Sequence, residues 1–337
     1  MGEDGRRDAR VRVVVLAGGV GGARFLRGLR AHLAAAEDPA LRSAEVVAVV
    51  NTADDVTMHG LRICPDLDTV MYTLGSGVDE ERGWGQRDER STVAEELVRY
   101  GEGPEWFTLG DRDLATHLVR TRLLREGVPL SAVTARLCER WRPGVRLLPM
   151  SDDPVETHVV LADGRTVHFQ EWWVRLRAGV PAVRFEAVGS QAAAPAPGVL
   201  EALAGADAVL LPPSNPVVSI GTVLGVPGVR EAVRSCSAPV VGVSPVLGGA
   251  VVRGMADACL RAIGVETSAA AVGGLYADLL DAWLVDDAAD GALHGTTVPG
   301  GRAPVLARPL LMRDVAAAAD LAGAALATAL DAGRVRA

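Results

Sequence analysis

The stretch that most constrains this chain is Val11–Ala17, a nearly continuous β-branched run that ends in Gly18-Gly19-Val20-Gly21-Gly22. From Ala23 to Ala36 the spacing becomes helical, with Phe25, Leu26, Leu29 and Leu33 on one face. A buried strand, a glycine turn and a helix open a βαβ unit. The turn offers amide N–H groups and a helix N-terminus to a phosphate, or is simply a tight strand-to-helix connection. As a dinucleotide fingerprint it fails. The third glycine position holds Arg24, and the second strand, Glu45–Val50, ends in Asn51 where an acidic residue would hold a ribose.

The pattern returns late in the chain. Ala208–Leu211 runs into Pro212-Pro213-Ser214-Asn215-Pro216, and Pro239–Val243 runs into Ser244-Pro245. Strands whose carboxyl ends all carry polar, Gly/Pro-rich loops predict an α/β fold with a mainly parallel sheet and one ligand crevice along that edge. Between the two halves the texture differs. Thr92–Tyr100, Leu114–Glu126 and Leu130–Trp141 look helical, and His158–Leu161 with Thr166–Phe169 reads as a hairpin around Asp163-Gly164. The expected division is a core of residues 11–70 and 191–330, with residues 71–190 as an inserted, mostly helical lobe. The Ala/Pro-rich stretch Gln191–Pro197 would lead back, and an alanine-rich helix, Val315–Leu330, would close the chain by packing.

Composition removes several chemistries. All 34 basic residues are arginine, so a lysine-bearing P-loop, a Schiff-base lysine and a catalytic amine are excluded. With 42 acidic residues the net charge is −8, which argues against nucleic acid as a partner. A polyanionic ligand must therefore be held locally, by arginine, backbone amides or a metal. The 49% hydrophobic content is ample for a core across 337 residues, enough for two ordinary domains or one large one. Cys64, Cys138, Cys236 and Cys259 are scattered and read as reduced thiols. The charged start is no signal peptide, and the apolar windows are broken short of a bilayer span, so a cytoplasmic protein without membrane contact is expected.

The acidic residues are the stronger chemical signal. Asp54-Asp55 follows one strand and Pro65-Asp66-Leu67-Asp68-Thr69 follows a short loop. Asp66 and Asp68 could point one way from an extended segment, or Asp68 could cap a helix. Carboxylates near a phosphate turn suit Mg²⁺, which takes protein and phosphate oxygens together, although loops also use Asp for their own hydrogen bonds. Arg112, in Gly110-Asp111-Arg112-Asp113, could clamp an anion or simply knot the turn. Ser214-Asn215 offers hydroxyl and amide bonds to a nucleotide. His59, His158 and His168 lack metal-ligand spacing, and Trp172-Trp173 reads as core or as a stacking platform.

Taken in order, LAGGVGGARFLRGL, VVNTADD, HGLRICPDLDTVMYTLG, GWG, LGDRDLATHLVR, LLPMSDDPVETHV, HFQEWWVR, PSNPVVSIGTVL and VSPVLGG with RGMAD resemble the 2-phospho-L-lactate transferase family of coenzyme F420 biosynthesis (CofD/FbiA type), most closely its actinobacterial, phosphoenolpyruvate-transferring members. The resemblance runs from Val13 to at least Ile263. It implies a Rossmann-like three-layer α/β core with a smaller lobe, usually dimeric. It also implies transfer of a phosphoenolpyruvate or 2-phospholactate group from a diphosphoguanosine adduct to the deazaflavin Fo, with release of GMP and a dehydro-F420-0 or F420-0 product. A separate guanylyltransferase would supply the labile adduct. On this reading Mg²⁺ is held by Asp54, Asp66 and Asp68. Asp54 and Asp68 are catalytic, with Asp68 orienting or deprotonating the attacking hydroxyl. Gly18, Gly19, Gly21, Gly22, Ser214 and Asn215 cradle the nucleotide. Asp68 and Thr108 lie by the deazaflavin, although archaeal members often carry a basic residue at the position of Thr108, and Arg112 is a further cofactor-binding residue. A non-catalytic nucleotide- or deazaflavin-binding protein is the alternative, and an NAD(P)-dependent oxidoreductase a further one that the broken glycine fingerprint disfavours.

Overall fold

A computed structural model of the chain describes residues 10–336. Seven strands make one parallel sheet: β1 (Arg12–Ala17), β2 (Glu45–Val50), β3 (Arg146–Pro149), β4 (Ala208–Leu211), β5 (Val240–Val243), β6 (Ala282–Asp286) and β7 (Val305–Arg308). Their spatial order is β7-β6-β5-β4-β1-β2-β3. Nearly every residue of β1, β2, β4, β5 and β6 is buried, as continuous apolar strands covered on both faces should be. The alternate sides of β1 define two core layers. Val14 and Leu16 face one with Val209, Leu211 and Trp283, while Val13, Val15 and Ala17 face the other with Phe25, Leu26 and Leu29. Chain order reverses between β1 and β4, which opens a crevice above their carboxyl ends.

The helices beside that crevice are α1 (Gly19–Ala35), α2 (Pro65–Leu74), α3 (Asp111–Arg125) and α4 (Leu130–Trp141); α5 (Val315–Arg336) ends the chain. Helix α5 lies so close to α1 that a Cβ on Gly28 would stand 2.3 Å from the Ala318 carbonyl. Within α5, Val315–Gly333 is long and apolar enough, by length and composition, to cross a membrane, contrary to the expectation of no such stretch. Here Leu321, Ala322, Ala325, Leu326 and Ala329 are buried in the same core layer as Phe25 and Leu29.

The range 71–190 is not uniformly an insertion, because it contains β3, an edge strand of the central sheet paired with β2. The expected hairpin forms as Glu156–Leu161 and Thr166–His168, and a third strand, Ala182–Val188, joins it antiparallel. That strand lacks clean alternation, so its pairing was not legible. Trp172 is fully buried against Phe169 and Phe185 and donates to the Val180 carbonyl at 2.8 Å, so its role is packing.

Candidate active site

The glycine turn fits its surroundings by touching them. A Cβ on Gly21 would sit 2.2 Å from the Pro213 carbonyl oxygen, and one on Gly18 would sit 2.6 Å from Ser219 Cβ and 2.7 Å from Asp66 Oδ2. Gly19 has φ of +61°, a left-handed conformation that glycine adopts without strain. Ser214 ties the two sides of the crevice together. Its hydroxyl donates to the Gly18 carbonyl at 2.8 Å and lies 3.3 Å from the Gly18 N–H. Asn215 caps the helical turn Pro216–Ile220, its Oδ1 accepting from the Val217 and Val218 N–H groups. Both residues are therefore spent on shaping the wall through their side-chain oxygens.

Asn51 organises the acidic side. Its Oδ1 accepts from Ala53 N–H at 3.0 Å and lies 2.7 Å from the Thr222 hydroxyl, so its amide N–H₂ must face the other way. There it donates to Asp66 Oδ2 at 3.0 Å. This residue was noticed in the sequence only as a missing acid. The chain has just two asparagines, Asn51 and Asn215, and both stand in the loops that follow β2 and β4 at this edge of the sheet.

Asp54 stands beside Asp66. Burial pushes the Asp54 carboxyl well above the usual range, and the neighbouring Asp66 charge pushes the same way, with the Asn51 amide opposing. Burial also raises Asp66 to about 6, against the Asn51 amide and the Gly19 N–H. Asp54 Oδ1 is buried with no hydrogen-bond partner. Two crowded carboxylates with an orphaned oxygen, all-oxygen donors at the foot of the glycine turn, fit a hard divalent cation, which takes oxygen ligands. Among the described residues no three His, Cys, Asp or Glu side chains form a ready metal cluster.

Asp68 goes elsewhere. Pro65 opens α2 at its first position, so Asp66 and Asp68 sit in a helical first turn and not in an extended segment. Two helical residues apart is about 200° of rotation, and the side chains diverge. Asp68 receives both terminal nitrogens of Arg120, Nη1 at 3.1 Å and Nη2 closer still, and Arg120 is 1% exposed. Arg120 Nη1 also lies 3.2 Å from His117 Nδ1. Burial lowers His117 to about 4, so it is neutral at pH 7 and accepts from the guanidinium. Burial opposes the Arg120 charge, but the Asp68 carboxylate outweighs it and the guanidinium stays protonated. Arg120 escaped the sequence reading because a lone arginine mid-helix carries no local signal.

The small β-lobe buttresses the carboxylate loop. Thr157 N–H donates to the Ala53 carbonyl at 2.7 Å, Gln170 Nε2 to the Asp54 carbonyl at 3.3 Å, and His168 Nε2 reaches the Asp55 carbonyl at 3.2 Å. Burial raises Asp55 to about 7, with the Arg62 guanidinium 3.8 Å away pulling it down. Thr108 lines a cavity of about 270 Å³ with His59, Leu61, Phe107 and Leu114. Arg112 is exposed and reaches the Arg87 carbonyl at 3.3 Å, while its own N–H is held by Glu89. Asp152 and Asp153 hold the N–H groups of Ser131 and Ala194, so they shape turns.

A doubly wound sheet with a glycine turn at its switch point and a pair of carboxylates across from it defines an α/β protein whose ligand crevice lies at the carboxyl edge of the sheet. Residues 13–297 match the family model described as 2-phospho-L-lactate transferase CofD. A phosphoenolpyruvate transferase of Thermobifida fusca is 60% identical over 325 residues, covering 95% of this chain and 98% of the relative. Those of Streptomyces coelicolor (58%, with 95% and 98% covered) and Mycolicibacterium smegmatis (53%, with 94% and 100% covered) are similar throughout. Among solved structures, a UPF0052-family protein from Bacillus halodurans superposes with a TM-score of 0.59 at 18% identity, over 94% of this chain and 99% of its own, which bears on the fold alone. The chain belongs to the CofD family of 2-phospho-L-lactate transferases and is a transferase of coenzyme F420 biosynthesis.

Proposed function

We propose that this transferase moves a phosphoenolpyruvate group from enolpyruvyl-diphosphoguanosine to the terminal ribityl hydroxyl of Fo. The hydroxyl oxygen forms a bond to the distal phosphorus, the anhydride oxygen leaves with GMP, and the hydroxyl proton departs to solvent or a nearby carboxylate. Lactyl-diphosphoguanosine would react in the same way. The names carried by relatives at 53–60% identity favour the enolpyruvyl donor.

The observation that carries this reading is the Asp54–Asp66 couple beside the glycine turn, which has no basic partner among the described residues and leaves Asp54 Oδ1 without a hydrogen bond. With no lysine in the chain, the charge that builds on the departing GMP phosphate needs another electrophile; Asp54 and Asp66 would hold Mg²⁺, which would supply that charge stabilisation. The N–H groups at the start of α1 take the remaining phosphate charge. The cavity by Thr108 is small but close to the range usual for small-molecule sites, and we place the deazaflavin ring there. A guanylyltransferase must deliver the labile donor. The test is a product assay by mass spectrometry with Fo, Mg²⁺ and donor generated in place from GTP and either phosphoenolpyruvate or 2-phospholactate. An Fo phosphodiester with GMP, lost on adding EDTA, is expected, and the preferred acid names the donor. Binding of Fo and GDP with no product from either acid would overturn the reading in favour of a binding protein.

A further inference from the structure

Arginines at the mouth of the glycine turn have no part in the reading so far. Along α1, Val20, Arg24 and Arg27 share one face and look toward the segment Asp79–Arg87. Arg27 is spent there, its Nη1 2.6 Å from Glu80 Oε1. Arg24 makes no hydrogen bond or ion pair among the described residues. Beside it comes Arg253, from the loop that follows β5. The point where a Cβ on Gly83 would stand is 3.0 Å from Val20 Cγ1 and 3.1 Å from Arg253 Nη1, so the Arg253 guanidinium and the Val20 side chain of the glycine turn flank the same glycine. Arg253 is fixed by donating to the Arg82 carbonyl and likewise has no carboxylate partner among the described residues. Gly83 and Gly85, with φ of +75° and +70°, hold the segment in the bend that brings the carbonyl of Arg82 to this position.

In a chain of net charge −8, two arginines beside the glycine turn with no carboxylate in ion-pair contact, Glu80 nearby being bonded to Arg27, call for an anion. We infer that Arg24 and Arg253 form the subsite for the carboxylate of the group being transferred, next to the diphosphate on the glycine turn. The assignment rests on the transferase reading above. A planar carboxylate matches the guanidinium fork, and two such donors, one from α1 and one from a loop, fix its direction. The diphosphate already has the amide N–H groups and the cation site. What distinguishes the donor from GDP or GTP at this place is the carboxylate, so the pair would let the enzyme select the charged adduct over nucleotides that lack it. Burial and the neighbouring Arg253 and Arg27 cations hold the Arg24 guanidinium below its usual range, with Glu80 opposing.

Three equilibrium titrations test this on wild type, Arg24→Gln and Arg253→Gln: GDP, Fo, and the phosphodiester of Fo with enolpyruvate. Only the last carries the carboxylate. Losing a charge-assisted bond should weaken it by about ten- to a hundredfold, with GDP and Fo unchanged. Arg253 is exposed, so its variant keeps the fold even if Arg24→Gln does not. Equal loss of GDP affinity would assign the arginines to the diphosphate and overturn the carboxylate subsite. Unchanged diester affinity in both variants would overturn it too. If wild type neither forms nor binds the diester, the transferase reading itself fails, a result distinct from the other two.

Discussion

The first turn of α2 holds two buried aspartates with opposite circumstances. Asp68 is closed in by Arg120, a fully buried guanidinium that takes both its oxygens, with neutral His117 behind it. Asp66, two residues earlier, meets only the amides of Asn51 and Gly19 and the competing charge of Asp54, one of whose oxygens has no partner at all. A buried charge with its counterion built in is a fastener between α2 and α3. A buried charge without one is costly unless something arrives to meet it. The difference separates a structural carboxylate from two unneutralised ones, and on the proposed reading it moves the cation from the whole acidic cluster to Asp54 and Asp66.

The largest expected effect follows from the unpaired couple. Asp54→Asn or Asp66→Asn should lower kcat by about a thousandfold or more, since each removes a cation ligand and the charge stabilisation it provides. Steady-state turnover at saturating Mg²⁺ checks this, and a loss under tenfold would place the cation elsewhere. On the fastener side, Arg120→Met leaves Asp68 as an uncompensated buried charge and should destabilise the fold by about 3–5 kcal/mol. Adding Asp68→Leu should restore most of that in denaturant titrations. If the double variant stays as unstable as the single one, the ion pair is not what joins the helices.

A middling effect is expected at the glycine turn. Gly21→Ala forces a methyl against the Pro213 carbonyl, where backbone on both sides must give, at about 1–3 kcal/mol by thermal or chemical melting. The smallest concerns Asp113, whose carboxyl burial raises to about 6, helped by Asp68 and Glu89 and opposed by Tyr72 and Gln86, with Arg82 also nearby. A raised carboxyl favours folding while protonated, and that stability is lost as pH climbs through about 6. Wild type should therefore gain on Asp113→Asn by roughly 1–3 kcal/mol between pH 8 and pH 4.5. Parallel stability curves would contradict that shift.

Much of this was legible in the chain. The glycine turn, the β-branched strands and the polar loops at their ends specify the sheet and its crevice, because buried parallel strands and tight turns have local signatures. The position of Asp54 and Asp66 at the crevice was legible from the loop and the turn that follow β2. What was not legible depends on geometry at a distance. The rotation that sends Asp68 away from Asp66 follows from a helix starting at Pro65, and Arg120 reaches Asp68 across 52 residues. The edge strand β3 hid in the middle of an apparent insertion because four residues seldom announce a strand. Asn51 looked like the absence of a ribose ligand and proved to be the hinge of the acidic site, fixed by Thr222 from 171 residues away.

The most direct test of the division between the two aspartates is cation binding itself. Mn²⁺ in place of Mg²⁺, with GDP present, can be titrated by electron paramagnetic resonance into wild type, Asp66→Asn and the charge-conserving pair Asp68→Asn with Arg120→Gln. The account predicts one Mn²⁺ site in wild type, its loss in Asp66→Asn, and its retention in the folded Asp68→Asn, Arg120→Gln protein. Retention in Asp66→Asn together with loss in the paired variant would contradict it.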